Sequence, residues 1–374
     1  MIMIKVCHMT SAHKSTDVRI FEKECVSLAK KEEYEVYLVA KGKSYESKNV
    51  HIVGIGTNNR GRISRMLFTA KDIYKKALEI NADIYHFHDP ELLPYGLKLK
   101  KKGKKVIFDS HENYSEQIKE KYYIPKFLRG FISKIFKSYE SKVSKKIDGL
   151  IFPCPMFGKH PFEGRSKRCV YINNTPILEE LYNKYEESEK DYSKPVVCYA
   201  GGLNYNRGIT HLINACYKSG AKLILGGNFV PASYGEELKK TEEYECVDFR
   251  GYLNRDDILN MYKESTIGAN VLLNVGQYAV LSNLSTKIYE FMSMGLPVIS
   301  NDYPYAREVI EKYNFGIVVN SDNIDEIENA IKYLSENPKE AEEMGRNGRD
   351  AIKEHFNWSI DEKVLYDLYD DILK

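Results

Sequence analysis

Short apolar runs alternate with amphipathic stretches along this chain, and the alternation occurs twice. Ile2–Met9, Tyr34–Ala40, Val50–Ile55, Asp83–Asp89, Lys105–Phe108, Gly149–Pro153 and Val170–Asn173 read as buried strands. Between them, Ile20–Lys31, Met66–Ile80 and Leu92–Lys101 carry apolar residues at helical spacing. The pattern restarts at Pro195. Val196–Ala200, Lys222–Leu225, Val247–Arg250, Ile267–Leu273, Leu296–Ser300 and Phe315–Asn320 are the second set of strands. Ile209–Tyr217, Asp256–Tyr262, Ile324–Leu334 and Lys339–Glu354 are their helices. A last amphipathic helix starts at Trp358 and carries Ile360, Val364, Leu365, Leu368 and Ile372. Strands alternating with helices predict parallel sheets covered on both faces. The fold class is therefore α/β with two Rossmann-like domains, 1–176 and 195–357. Residues 177–194, charged and tyrosine-rich with little aliphatic pattern, read as the linker.

Candidate chemistry concentrates in residues 282–302. Asn283, Ser285 and Thr286 suit the N-terminus of a helix, because their side chains accept from first-turn amides. Ile288, Phe291 and Met292 continue it, and Gly295 stops it by taking the left-handed conformation. A helix start preceded by small residues suits an anion. Glu290, about one turn on, would repel a phosphate but accept from a sugar diol. Amides for phosphate and a carboxylate for ribose together suit a nucleotide diphosphate; the plain alternative is an ordinary βα repeat with an exposed glutamate. Earlier, Gly201 and Gly202 follow a strand and let a diphosphate approach the backbone. Arg207 then offers bidentate bonds to phosphate oxygens; a glycine turn with a surface arginine is the plain reading. In the first half, the C-terminal strand edge carries His13, His88, Asp89, Glu91, His111 and Glu112. No G-x-G-x-x-G follows the first strand, which disfavours a nicotinamide cofactor.

Lys287-Ile-Tyr-Glu-Phe-Met-Ser-Met-Gly-Leu-Pro-Val-Ile-Ser-Asn-Asp302 resembles the donor-binding segment of family 4 glycosyltransferases, which have the GT-B fold. His88-Asp-Pro-Glu-Leu-Leu93, Asp109-Ser-His-Glu112 and Asp17-Val-Arg-Ile-Phe21 with Glu24 resemble first-domain signatures of one bacterial branch of that family. The resemblance covers nearly the whole chain. It implies two domains facing across a cleft, with the helix at 358–374 crossing back to complete the first. It implies a retaining hexosyltransferase that needs no metal and no cofactor, the nucleotide sugar being substrate, with UDP favoured over GDP. Gly201, Gly202, Arg207, Lys287 and the amides near Ser285 and Thr286 would hold the diphosphate, Glu290 the ribose, and Tyr252 and Leu253 the base. Ser282, Asn283 and Leu284 would line the donor site, and His111 would meet the donor sugar. The catalytic set is then His111, Arg207, Lys287 and Glu290, and the other first-domain edge residues face the acceptor. That acceptor would be a glycan, carried on a lipid diphosphate in O-antigen, capsule or exopolysaccharide synthesis. The chain departs from the family pattern in three places. Thr10–Asp17 replaces a glycine-rich loop. Gly202 stands where an arginine is usual, and Arg207 where a lysine is. Ser282 stands at the first position of a Glu, seven residues, Glu signature whose second member is Glu290.

Composition narrows the alternatives. The net charge of +2 over 374 residues gives no global field for nucleic acid. Seven scattered cysteines show no disulfide or zinc spacing. No run approaches the roughly 18 apolar residues of a spanning helix, and Met1–Val6 has no leader pattern. The expectation is cytoplasmic, at the inner face of the plasma membrane if the chain meets lipid. That contact is one reading of residues 119–146, where nine Lys or Arg stand against two Glu. Phe127, Leu128, Phe131, Ile132, Ile135, Tyr139 and Val143 form an apolar stripe there, suited to an anionic membrane or to packing on the protein's own sheet. The rival functions are a sugar-nucleotide epimerase of the same two-domain plan and a non-catalytic partner subunit.

Overall fold

The computed structural model describes residues 3–57, 61, 64–121, 124–153, 162–166, 168–186, 190–275, 278 and 283–374. The chain divides into two compact units, Met1–Asn174 with Trp358–Lys374, and Thr175–Asn357.

In the first unit, β1 (Ile4–Lys14), β2 (Tyr34–Lys41), β3 (Tyr45–Ser47), β4 (Val50–Gly54), β5 (Ile84–Phe87), β6 (Lys105–Asp109), β7 (Gly149–Phe152) and β8 (Cys169–Tyr171) share one sheet. Its order is β3-β4-β2-β1-β5-β6-β7-β8, and only β3 runs antiparallel to its neighbour. Central strands β5 and β7 are buried along their whole length, which is why they read as unbroken apolar runs. The second unit holds β9 (Val196–Ala200), β10 (Lys222–Gly226), β11 (Val247–Gly251), β12 (Ile267–Asn270), β13 (Val298–Asn301) and β14 (Gly316–Val319). All are parallel, in the order β11-β10-β9-β12-β13-β14. Each sheet is doubly wound, so connections leave its first strand in both directions and a crevice opens beyond the C-terminal strand ends. Alternation along β9 feeds two cores: Val197 and Tyr199 pack on one face, Cys198 and Ala200 on the other.

The structure differs from the hydrophobic pattern in several places. The stretch read as one helix from Ile20 is a π-helix, Val18–Cys25, continued by Val26–Ala29 as α-helix. Its wider turn, with Glu22 N donating to Asp17 O at 3.4 Å, turns Arg19, Lys23 and Glu24 inward. Strand β3 went unpredicted because its three residues are largely exposed and its turn uses Lys48 and Asn49 at positive φ instead of glycine. Helix Pro304–Tyr313 was also unpredicted, although Pro304 at its first position favours a helix start. The expected linker packs on the second unit: Leu181 and Tyr192 are buried in its cores, and Arg349 stacks on Tyr182 and Tyr185, 4.0 and 3.9 Å from their ring centres.

The basic segment forms two helices, Tyr114–Glu120 and Lys126–Ser144, parted at Pro125. Only the C-terminal part of the apolar stripe packs inward, through Val143. Phe127, Phe131 and Ile135 are 83%, 64% and 53% exposed. Among the described residues no helix is long and apolar enough to cross a membrane. The six described cysteines are free, and Cys154 lies outside the described residues.

Helix Trp358–Leu373 completes the first unit. Trp358 Nε1 donates to Ser27 Oγ at 2.8 Å, Tyr366 Oη donates to Ser27 O at 2.8 Å, and Asn173 N donates to Asp361 Oδ1 at 3.1 Å. Leu365, Leu368, Tyr369 and Ile372 are buried beneath it. Trp358→Ala should therefore destabilise the first unit by about 3–5 kcal/mol. Urea unfolding read by hydrogen exchange in β1 and β2 measures this; unchanged protection there would mean the helix contributes little.

Candidate functional site

The C-terminal strand edge of the second unit is built from glycine turns. Gly201 follows β9 at φ +147°, and Gly227 follows β10 at φ +131°. A Cβ on Gly227 would lie 1.8 Å from Gly201 O, so neither a side chain nor its usual backbone conformation fits. On the far side of the switch point, helix Thr286–Ser293 starts at Ser285 with no side-chain cap. The predicted stop also stands, with Gly295 at φ +64°.

These parts enclose a cavity of about 620 Å3 within the second unit, inside the range usual for ligand pockets. Gly201, Gly202, Tyr252, Leu253, Thr286, Lys287 and Glu290 all line it, with Gly227 and Asn228. Tyr252 is 77% exposed at its rim. Arg207 sits beside it at the end of a short turn, its Nη1 3.4 Å from Tyr199 Oη and its guanidinium 5.9 Å from the Tyr278 ring centre. Lys287 Nζ lies 5.1 Å from the centre of the Tyr199 ring. Burial first, then the Arg207 charge, lowers the Lys287 amine to about 8.

Glu290 is held from both sides. Arg255 Nη1 donates to Oε1 at 2.6 Å and Tyr262 Oη to Oε2 at 2.6 Å. Arg255 also donates to Glu180 Oε2 at 3.1 Å. A carboxylate has about four acceptor positions, so lone pairs remain for a diol. Sequence reasoning missed Arg255, Tyr262 and Glu180. The only local signal was Arg255 immediately after the Gly251–Asn254 turn. The other expected donor-site residues divide. Asn283 is engaged by Tyr289 and Tyr303, at 3.2 Å on its Oδ1 and 2.8 Å on its carbonyl. Leu284 is buried in the core. Ser282 lies outside the described residues.

The first unit gathers a second set at its own strand edge. The His13 ring lies 5.0 Å from that of His111, and Nδ1 bonds Asp17 at 3.1 Å, which raises the imidazole against burial. His111 Nε2 meets Asp109 Oδ2 at 3.0 Å. His88 is fully buried between His111 and His8, and burial lowers it to about 4. Asp89 is buried and acts as a fastener: Thr10 Oγ1 donates at 2.8 Å, Ser11 N at 2.6 Å and Ala12 N at 3.1 Å. Asp89 stands just after β5, and these bonds tie it to the C-terminal part of β1. Glu91 accepts from Ser11 Oγ at 2.9 Å, and Glu112 accepts from Gln117. Burial alone would raise the Asp109 carboxyl, but the bidentate Arg19 guanidinium, at 2.9 and 3.0 Å, holds it well below the usual carboxylate range.

Two family models match the chain. "Glycosyltransferase Family 4" matches residues 23–168, and "Glycosyl transferases group 1" matches residues 183–351. The chain belongs to the family 4 glycosyltransferases. An uncharacterized glycosyltransferase of Methanocaldococcus jannaschii is 24% identical over 52% of this chain and 50% of its own length. The alpha-D-kanosaminyltransferase of Streptomyces kanamyceticus is 25% identical over 48% and 46%. The chain thus spans about half the length of the curated relatives it matches. Among solved structures, sucrose-phosphate synthase of Thermosynechococcus elongatus superposes with a TM-score of 0.79 at 15% identity, covering 99% of both chains. Anabaena HepE in complex with UDP gives 0.71 at 14%, covering 99% of this chain and 100% of HepE. WaaG, described as involved in lipopolysaccharide biosynthesis, gives 0.68 at 12%, covering 98% and 99%. These likenesses establish the GT-B fold, that of two Rossmann-like domains.

Proposed function

We propose that this glycosyltransferase moves a sugar, with retention, from a nucleotide diphosphate sugar to a hydroxyl of a glycan acceptor. The observation that carries the reading is the pairing of Lys287 and Glu290, one helical turn apart, on the wall of a glycine-edged cavity. The diphosphate lies against Gly201, Gly202 and the uncapped helix start, and Arg207 and Lys287 balance its charge. The departing diphosphate gains charge as the glycosidic bond breaks, and preorganised cations and amides stabilise it. Glu290, oriented by Arg255 and Tyr262, accepts from the ribose hydroxyls, and Tyr252 and Leu253 flank the base. UDP is favoured, since HepE was solved with UDP and with UDP-glucose. The resemblance assigns His111 to the donor sugar and the first-unit edge to the acceptor. It also assigns the acceptor proton to the leaving phosphate oxygen, so transfer needs neither a metal nor a separate base.

The acceptor we favour is a glycan on a lipid diphosphate in surface polysaccharide synthesis, met at the inner face of the membrane. WaaG's stated role in lipopolysaccharide biosynthesis and the exposed Phe127, Phe131 and Ile135 among lysines support that choice.

Three outcomes follow. With a panel of UDP- and GDP-sugars, nucleotide release should require acceptor, and Glu290→Ala should abolish turnover and weaken UDP binding at least about tenfold through lost charge-assisted bonds. Full activity in that variant refutes the site. The second concerns pH. A bound diphosphate returns Lys287 toward its ordinary value, so above the free-protein value of about 8 each binding event takes up a proton. UDP affinity by calorimetry should be level near neutrality and fall roughly tenfold between about pH 7 and about pH 9. Lys287→Met should bind weakly with no such fall; an unchanged fall would assign the proton elsewhere. Third, the chain should co-sediment with anionic phospholipid vesicles more than with neutral ones, and Phe127→Ser with Phe131→Ser should reduce this at least about fivefold. Equal binding by the double variant ends the membrane reading.

A further inference from the structure

We propose that the first unit carries a metal site formed by His8, Glu24, His86 and His88, suited to a divalent transition ion of the zinc type. The site is independent of the donor reading, since every ligand lies in Met1–Asn174.

All four side chains are fully buried. One ligand atom from each lies within 4.8 Å of the other three. Glu24 Oε2 is 3.9 Å from His8 Nδ1, 3.8 Å from His86 Nε2 and 3.8 Å from His88 Nε2, and His8 Nδ1 is 3.0 Å from His88 Nε2. The carboxylate-to-ring separations are too long for hydrogen bonds. They suit ligands around a common ion, since atoms bound to zinc at roughly 2.0–2.2 Å stand roughly 3.3–3.6 Å apart in a tetrahedron.

The far sides of the rings are braced as metal-bound histidines require. His88 Nδ1 faces Asp109 Oδ2 at 3.3 Å. His86 Nδ1 and His8 Nε2 both face Tyr369 Oη, at 3.0 and 3.3 Å. Protons on those outer nitrogens leave three lone pairs and a carboxylate aimed at one point. A cation-free pattern in which His86 donates to Tyr369, Tyr369 to His8, His8 to His88 and His88 to Asp109 leaves His86 Nε2 without a hydrogen bond and facing Glu24 Oε2 at 3.8 Å, two acceptors opposed in the core. Leaving buried polar atoms unmatched is costly, and a cation satisfies both. Arg19, 3.3 Å from Glu24 Oε1, lies outside the four and balances Asp109. Three imidazoles and one carboxylate suit zinc, and four protein ligands with no open position indicate a structural site. It ties β1, helix Val18–Cys25 and the end of β5 together beneath the His111 edge.

Elemental analysis of the purified full chain tests this, with Zn2+ and Co2+ as probes. The chain should hold about one zinc, falling below about a tenth in Glu24→Gln and in His86→Gln. Stripped protein should develop the visible bands of four-coordinate Co2+, discharged by Zn2+, and Zn2+ should raise its melting temperature. Asp109→Asn should weaken zinc binding about tenfold or more, as loss of a bracing carboxylate does. Should the variants fail to fold, the stripped and reloaded wild-type chain decides. A wild-type chain below about a tenth of an equivalent, unmoved in melting temperature by either ion, overturns the site. So does a full equivalent persisting in Glu24→Gln and His86→Gln, which would mark adventitious surface binding. UDP affinity measured on the same samples reports on the donor reading separately.

Discussion

The second unit depends on one close approach of backbone. The turns after β9 and β10 lie so near each other that a Cβ on Gly227 would occupy the space of the Gly201 carbonyl. This contact keeps the strand ends bare, so a ligand meets main chain instead of side chains. It also decides where Lys287 lies: a Cβ on Gly201 would come 2.8 Å from its Cε, so the lysine stem lies across the glycine. A bulkier turn would move the cation and close the cavity together. The usual family arginine is replaced by Gly202, so the burden of charge at this edge falls on Arg207 and Lys287 alone among the residues the resemblance names. Burial first and the Arg207 charge second take basicity from Lys287, while Arg207, itself largely desolvated, keeps its own beside Tyr199 and Tyr278.

The same logic explains why Glu290 is not left loose. A carboxylate at 19% side-chain exposure needs partners before any ligand arrives. Arg255 and Tyr262 supply one donor to each oxygen and fix the plane of the group. Burial and the Glu290 charge raise the Tyr262 hydroxyl well above its usual range, so it stays a donor at any ordinary pH. The site is thus preorganised by residues that need not touch the ligand, and the ordering of Glu290 is met in folding instead of in binding.

Much of this was legible in the residues. Strand and helix alternation revealed both doubly wound sheets, because buried parallel strands have little freedom in composition. Glycines after strands, together with Lys287 and Glu290 at helical spacing, pointed to one edge, and they do line one cavity. What was not legible depends on distant partners. The tyrosines at 182 and 185 read as linker because aromatic rings gave no aliphatic period, yet Arg349 from a much later helix stacks on both. The apolar stripe at Phe127, Phe131 and Ile135 could be read either way, since periodicity shows that a face exists and not what covers it. Arg19 and Glu24 were visible only as part of a resemblance. A regular 3.6-residue helix would not have set them together; the π winding does, and nothing in local propensity signals it.

The two units use the same topology for opposite electrostatic ends. In the second, the switch point gathers cations and bare amides, with its one carboxylate neutralised by Arg255, so the edge suits an anion. In the first, the corresponding strand ends carry three buried imidazoles, and Glu24 and Asp109 oppose the single charge of Arg19. A core can hold such an excess by protonating Glu24, which burial and the Asp109 charge both favour, or by enclosing a cation. Protonation restores neutrality but donates nothing to His86 Nε2 across 3.8 Å. Protonated Glu24 can donate to Asp109 but leaves His86 Nε2 unmatched, whereas a cation among the four ligand atoms would satisfy that nitrogen as well, so the geometry, more than the charge count, favours the cation.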